Sequence, residues 1–476
     1  MPTIGMGVDI AALIDATIAG NSKDVIAIAR DLLRRGAPAA ELAARAGLIV
    51  ADGDGDGHAV LTLSAAAGLS RWMMALPQPS EPEPHSHEQE LPLLAQVLVA
   101  TTPALRAGKQ AQVSYPDPLF PSELGAGKTV DDAMHDAVYG NDATRVERLL
   151  FGLYGTGADY RTMEVRAYDG ISTTCQRAGH PLVFAVRGFQ LLDAAEWGER
   201  APHILHWLTP HLPLRSGEPD WVQAVRAFHA GPAHSLAGLR ARLAAPQDVN
   251  ALPLRDLILS DADTTQICQG VYDALVKGGA SSRGVGSVIA LAAADALRQM
   301  GDDDRDEFVR AAHGLLFAAA ARVVYARVQD IAALPLLYTA AAYANALFKE
   351  LGQHLQATER ASTTASFMSG GLIAPALLET LSEQVEARDY NGAVATAQRY
   401  LRFDNDPRAL FATIGLTAAW ADAATDQGHT LQIAQAAGET YMAWPASLAG
   451  TNIDVLAHVA LRAVTFAGRN ALVDDL

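Results

Sequence analysis

Apolar residues recur along most of this chain at spacings of three and four, and no segment shows the sustained alternation of a strand. The pattern predicts an all-α protein. Four of the apolar runs open on the dipeptide Gly-His or a close variant. Gly57-His58 leads into AVLTLSAAAGL, Gly179-His180 into PLVFAVRGFQLL, Ala312-His313 into GLLFAAAARVV, and Gly428-His429 into TLQIAQAAGETY. The histidines stand 122, 133 and 116 residues apart. That recurrence predicts a helical repeat or bundle of four related units, each about a quarter of the chain.

The flanks of each dipeptide carry the same expectation. A helical stretch, a break and a second helical stretch precede His58, His180 and His429, and end at Gly36, Gly157 and Asn405. Such residues close helices because they enter the left-handed region at little cost. The corresponding stretch of the third unit ends at Gly279, and the acidic run GDDDRDE fills part of its longer gap to His313. A further apolar segment follows each Gly-His run: LPLLAQVLVA, APHILHWLTPHL, LPLLYTAAAYANALFKEL and VLAHVALRAVTF. Each unit thus reads as four to five helices, over residues 1–110, 111–250, 251–370 and 371–476.

Composition agrees and narrows the function classes. Half of the 476 residues are apolar and only 6% are aromatic. Alanine, the best helix former, also lets helices approach closely. A net charge of −17 without a basic cluster argues against nucleic acid as a partner. The alanine-rich runs are interrupted by Asp295, Arg322 and Asp330 before they reach spanning length, so no membrane partner is expected. Two cysteines, Cys175 and Cys268, fit a cytoplasmic location and cannot form a disulfide framework.

Several short motifs fall away. GAGKT at 125–129 resembles a phosphate loop, but Ser122 stands where the first glycine belongs and no strand precedes it. DGDGDG at 52–57 resembles a calcium loop, yet Leu63 occupies the position of the closing carboxylate. It reads instead as a turn between helices. The proline- and glutamate-rich stretch 77–90, with His85 and His87, reads as an exposed, mobile connector.

The histidines are the remaining chemical signal. At the first turn of a helix the macrodipole disfavours imidazolium, and neutral imidazole is the form that binds a transition metal. If the units close on a common axis, His58, His180, His313 and His429 converge on an interior pocket. If they stack as a solenoid, the histidines form a ridge and each caps its own helix. His203 and His206, one turn apart in HILHWL, are a second candidate metal pair. His135 is a further candidate, and His211 is expected outside that helix. Asp193, Glu196, Asp330, Asp422 and Asp426 are candidate carboxylate partners.

The segments AGNSKDVIAIARDLL, GNDATRVERLL, AGHPLVFAVRGFQLLDA, LPLLYTAAAYANALF and QGHTLQIAQAA resemble the helical region found beside Rieske-type iron–sulfur domains. They are more distantly similar to the questin oxidase family. The resemblance implies an oxidoreductase setting with a small-molecule substrate and a redox partner protein. The cluster-binding pairs C-x-H and C-x-x-H are missing, so an iron–sulfur cluster would not be bound by this chain. Two functions stay open. One is an oxidoreductase, an oxygenase among the options, that uses iron or another transition metal. The other is a non-catalytic helical scaffold that binds a ligand.

Overall fold

The computed structural model describes residues 9–77, 86–125, 127–215, 217–231, 236–244, 251–300, 304–355, 374–421 and 426–469. Among them the chain forms 23 α-helices and no strand. The local reasons are visible in the turns. Gly20, Asn141 and Arg388 adopt φ of 72°, 56° and 57°, which ends one helix. The next residue in each case, Asn21, Asp142 or Asp389, accepts a backbone N–H of the following helix. Gly36, Gly157 and Gly279, all at positive φ, end the helices that follow, except that Gly279 lies two residues beyond its cap.

Each histidine sits in a comparable place in the helix order. A lead-in helix (Ala39–Ala51, Tyr160–Ile171, Ser282–Arg298 or Pro407–Ala419) runs into a histidine helix (His58–Met73, His180–Ala194, Arg305–Arg327 or His429–Met442). A closing helix follows: Leu91–Ala100, Ala201–Leu208, Pro335–Leu355 or Val455–Ala467. The four histidine helices pack in a closed ring, each against the next and the last against the first. They form the centre of the molecule, and the remaining helices surround them.

Glycine makes the close approaches in this ring. Gly57, Gly179 and Gly428 precede their histidines at φ of 90°, 84° and 69°. A Cβ on Gly57 would lie 2.6 Å from Phe184, one on Gly179 2.4 Å from Phe317, and one on Gly428 2.1 Å from Thr62. Phe184, Phe317 and Thr62 each stand one helical turn after the histidine of the neighbouring helix. The Gly-His dipeptide is therefore both a helix start and a joint between ring neighbours.

Three expectations need correction. His313 does not open its helix: Asp304 caps that helix by accepting from the Glu307 N–H, so His313 lies two turns in. The acidic run that lengthens the gap supplies this earlier cap. Second, Arg305–Arg327 and Ile331–Gly352 are long and apolar enough to span a membrane, although 83% and 72% of their apolar windows are buried within the protein. Arg322 does not interrupt the first of these, because it is itself packed inside. Third, the end of the 77–90 stretch is packed. Ser86 and Glu90 are buried, and Glu90 Oε2 accepts the Ala39 N–H at 2.6 Å, an unpaired donor of a helix start. His87 donates its backbone N–H to Leu33 and turns Nδ1 to Glu90. His85 lies outside the described residues.

Candidate metal centre

The ring of helices brings His58, His180 and His429 together, with His313 against His429. Nε2 of His58 lies 3.2 Å from Nε2 of His180, and Nε2 of His429 lies 3.1 Å from Nε2 of His313. Ring centroids of His180 and His313 are 4.7 Å apart, and those of His58 and His429 are 5.2 Å apart. His58, His180 and His429 offer ligand nitrogens that all lie within 4.8 Å of one another.

The other ring nitrogen of each histidine decides the chemistry. His180 Nδ1 faces the carbonyl oxygen of Arg177. His429 Nδ1 faces that of Asp426 at 2.5 Å. His313 Nδ1 faces those of Val309 and Arg310 at 2.9 and 3.1 Å. A carbonyl oxygen only accepts, so each Nδ1 must carry the proton. His58 Nδ1 points to the Asp56 carboxylate at 3.3 Å, which also accepts the His58 backbone N–H. Although burial pushes the Asp56 carboxyl up, hydrogen bonding and charge from His58 hold it below the usual range. All four Nε2 atoms are thus bare acceptors in the neutral ring.

Two bare nitrogens at 3.1–3.2 Å repel unless a proton or a cation lies between them. Burial works against the proton. It lowers the pKa of His180 to about 2 and that of His313 to about 4, each helped by a neighbouring histidine. His58 and His429 are lowered for the same leading reason. A tetrahedral ion with nitrogen ligands at about 2.0–2.1 Å would separate those nitrogens by about 3.3 Å. The two observed pairs lie close to that spacing.

Solvent approaches the quartet at His180, which is half-buried, and at a cleft beside His58. A cleft of 410 Å³ is lined by Asp54, Asp56, His58, Thr101, Pro103 and Gln427, among others. The Asp54 carboxylate accepts the Gly57 and Val60 N–H groups and so fixes the start of the His58 helix. Burial raises its pKa to about 7. Beside Gly57, His211, buried and lowered to about 4 by burial, packs on Phe184. Farther along the same ring, Arg187 donates to Glu439 at 3.0 Å and Gln190 donates to it at 2.9 Å, beside a cavity of 190 Å³.

The other candidates lie apart from this centre. The helix Ala201–Leu208 packs outside the ring, against Ala39–Ala51 and Ala143–Gly155. The one-turn spacing does place His203 and His206 on one face. Their rings nevertheless turn to different carboxylates, His203 to Asp52 at 3.0 Å and His206 to Glu147 at 2.5 Å. Each carboxylate meets its own ring, and this pair stands apart from the central group His58, His180 and His429. His135 pairs with Asp169 at 3.1 Å. His211 ends a short 3-10 turn, outside the Ala201–Leu208 helix. Asp193 meets Arg327, and Asp330 caps the turn at Ile331. Asp426 reaches the quartet through its backbone oxygen, and Asp422 lies outside the described residues.

Asp56 is the partner that the sequence reading missed. Its signal lies in DGDGDG, two residues before His58, which reads by itself only as a turn. Cys175 and Cys268 are both buried and free, and burial raises both thiols, that of Cys268 to about 12. No family model matches this chain, and neither a curated protein nor a solved structure matches it.

Proposed function

We propose that this protein is a metal-dependent oxidoreductase in which His58, His180 and His429, with His313 beside them, hold one transition-metal ion. The observation that carries the reading is the pair of short contacts between unprotonated nitrogens, which a cation between them would turn from repulsive to favourable. All-imidazole donors suit iron, copper, nickel or zinc, and iron or another redox-active ion fits the family resemblance. Such an ion supplies electron transfer or Lewis acidity. The protein holds the rings in one tautomer through four backbone carbonyls and one carboxylate. A small-molecule substrate would reach the ion from the cleft at His58, and electrons would come from a partner protein, the carrier of any iron–sulfur cluster. The acidic, cysteine-poor composition supports a cytoplasmic setting.

A second reading rests on the number of nitrogens. Four protein ligands would saturate a tetrahedral ion and leave no place for substrate, as in a non-catalytic metal-binding scaffold, whereas three would leave one position open. Metal analysis of protein purified without a histidine tag tests both readings. About one equivalent of ion per chain, lost in His180→Ala, is the expected result, and protein that stays metal-free after exposure to each of these ions overturns them. Reductant-dependent dioxygen consumption by the loaded protein separates the enzyme from the scaffold.

A further inference from the structure

His58 differs from its three companions in two independent respects. Its Nδ1 is held by a side chain, Asp56, while the other three are held by backbone carbonyls. It is also the member of the quartet that lines the 410 Å³ cleft. The His58 side chain is only 10% exposed, and its Nε2 faces another unprotonated nitrogen. Asp56, by contrast, is 64% exposed on its side chain and stands at the mouth of that cleft.

We propose that the cleft over the Asp54–His58 turn is the port through which a hydrated divalent transition-metal cation enters the quartet, with Asp56 as the carboxylate that captures it and positions His58. The inference rests on the quartet being a metal site. Its physical basis is a path of falling hydration. A cation first meets the exposed carboxylate of Asp56, whose charge raises the local cation concentration. The same carboxylate touches the nearest ligand ring, so capture and the first ligand exchange occur within one side chain of each other. Gly55 lines this passage and carries no side chain that would narrow it, since a Cβ there would meet nothing within 4 Å. The other three rings are tied to backbone that cannot turn without unwinding a helix start or bending a helix. The carboxylate also explains why a calcium-like DGDGDG run lacks its closing ligand: in this reading it is a relay, and the closing ligand is His58.

Stopped-flow mixing of the metal-free full chain with Co2+, read by the visible absorption of the bound ion, tests the port. Asp56→Asn should slow uptake about tenfold at low ionic strength and flatten the salt dependence of the rate. Pro103→Trp, at the exposed rim of the cleft, should slow uptake and chelator-driven release by the same factor and so leave the equilibrium affinity unchanged. Asp31→Asn, an exposed acidic change in an ion pair with Arg35, should match the unmodified protein. Unchanged rates and salt dependence in Asp56→Asn, or unchanged uptake and release in Pro103→Trp, would overturn the port. Failure of the unmodified protein to bind Co2+ at all would instead overturn the metal-site reading.

Discussion

Two groups of histidines in this molecule use the same side chain in opposite ways. At the surface, His203 and His206 each turn Nδ1 to a separate carboxylate. In the centre, four rings spend Nδ1 on backbone or on Asp56 and turn Nε2 toward one another. The contrast teaches that proximity in sequence says little about ligation. A pair one turn apart turns to two separate carboxylates, while four rings more than a hundred residues apart turn their lone pairs toward one another. What distinguishes a candidate ligand is an acceptor that the protein does not satisfy.

The largest expected effect tests that contrast directly. His180→Ala and His429→Ala should each lower metal affinity by at least about a hundredfold with helicity retained, because removing one ligand breaks the set. His203→Ala and His206→Ala should leave the metal content unchanged. Isothermal titration with circular dichroism checks all four. Equal loss in both groups would erase the distinction.

The next effect concerns the joints of the ring. Gly179→Ala should cost about 2–5 kcal/mol, combining left-handed backbone strain with overpacking against Phe317. Gly198→Ala, in the turn before the His203 helix, has φ of 57° but nothing within 4 Å of a new Cβ. It should cost only about 1 kcal/mol. Urea denaturation of the two variants gives the comparison.

Acidity should then separate the two groups by sign. The central histidines have lowered pKa values, so below the ordinary 6.5 the unfolded chain binds protons that the folded chain refuses. Stability of the metal-free protein should fall as pH drops from 6.5 toward 4, by up to about 1.4 kcal/mol per pH unit for each such histidine. His206 is raised by its hydrogen bond to Glu147. Its contribution should be complete below 6.5 and fade as pH rises through its folded pKa. Proton NMR should show His206 titrating above 6.5 and His180 still neutral near pH 4, and the reverse order would contradict the assignment.

The smallest effect belongs to the surface pair itself. His206→Ala removes a contact whose ring is 35% exposed, so its expected cost is at most about 1 kcal/mol near neutrality. A larger loss in thermal denaturation would mean that the pair supports the ring more than its position outside it suggests.

Much of the helical layout was legible because it rests on local chemistry. The breaks at Asn21, Asp142 and Asp389 are side-chain caps, and the ends at Gly36 and Gly157 are left-handed turns, so each is written in a few adjacent residues. The same locality misled at His313, where the apolar run looked like a start and Asp304 supplied an earlier one. It misled at residues 86–90 too, since composition cannot reveal that Glu90 caps a helix fifty residues upstream.

The sequence by itself determined that the chain is helical, that four histidines recur at similar intervals, and that three of them follow a glycine. Those are properties of neighbours, governed by backbone preference and apolar period. Only the tertiary structure decided that the four histidine helices close into a ring, that His203 and His206 stay outside it, and that Asp56 holds one of the central rings. The reason is physical. Helix propensity acts over a turn or two, whereas the meeting of four Nε2 atoms depends on Phe184, Phe317 and Thr62 fitting against glycines of other helices.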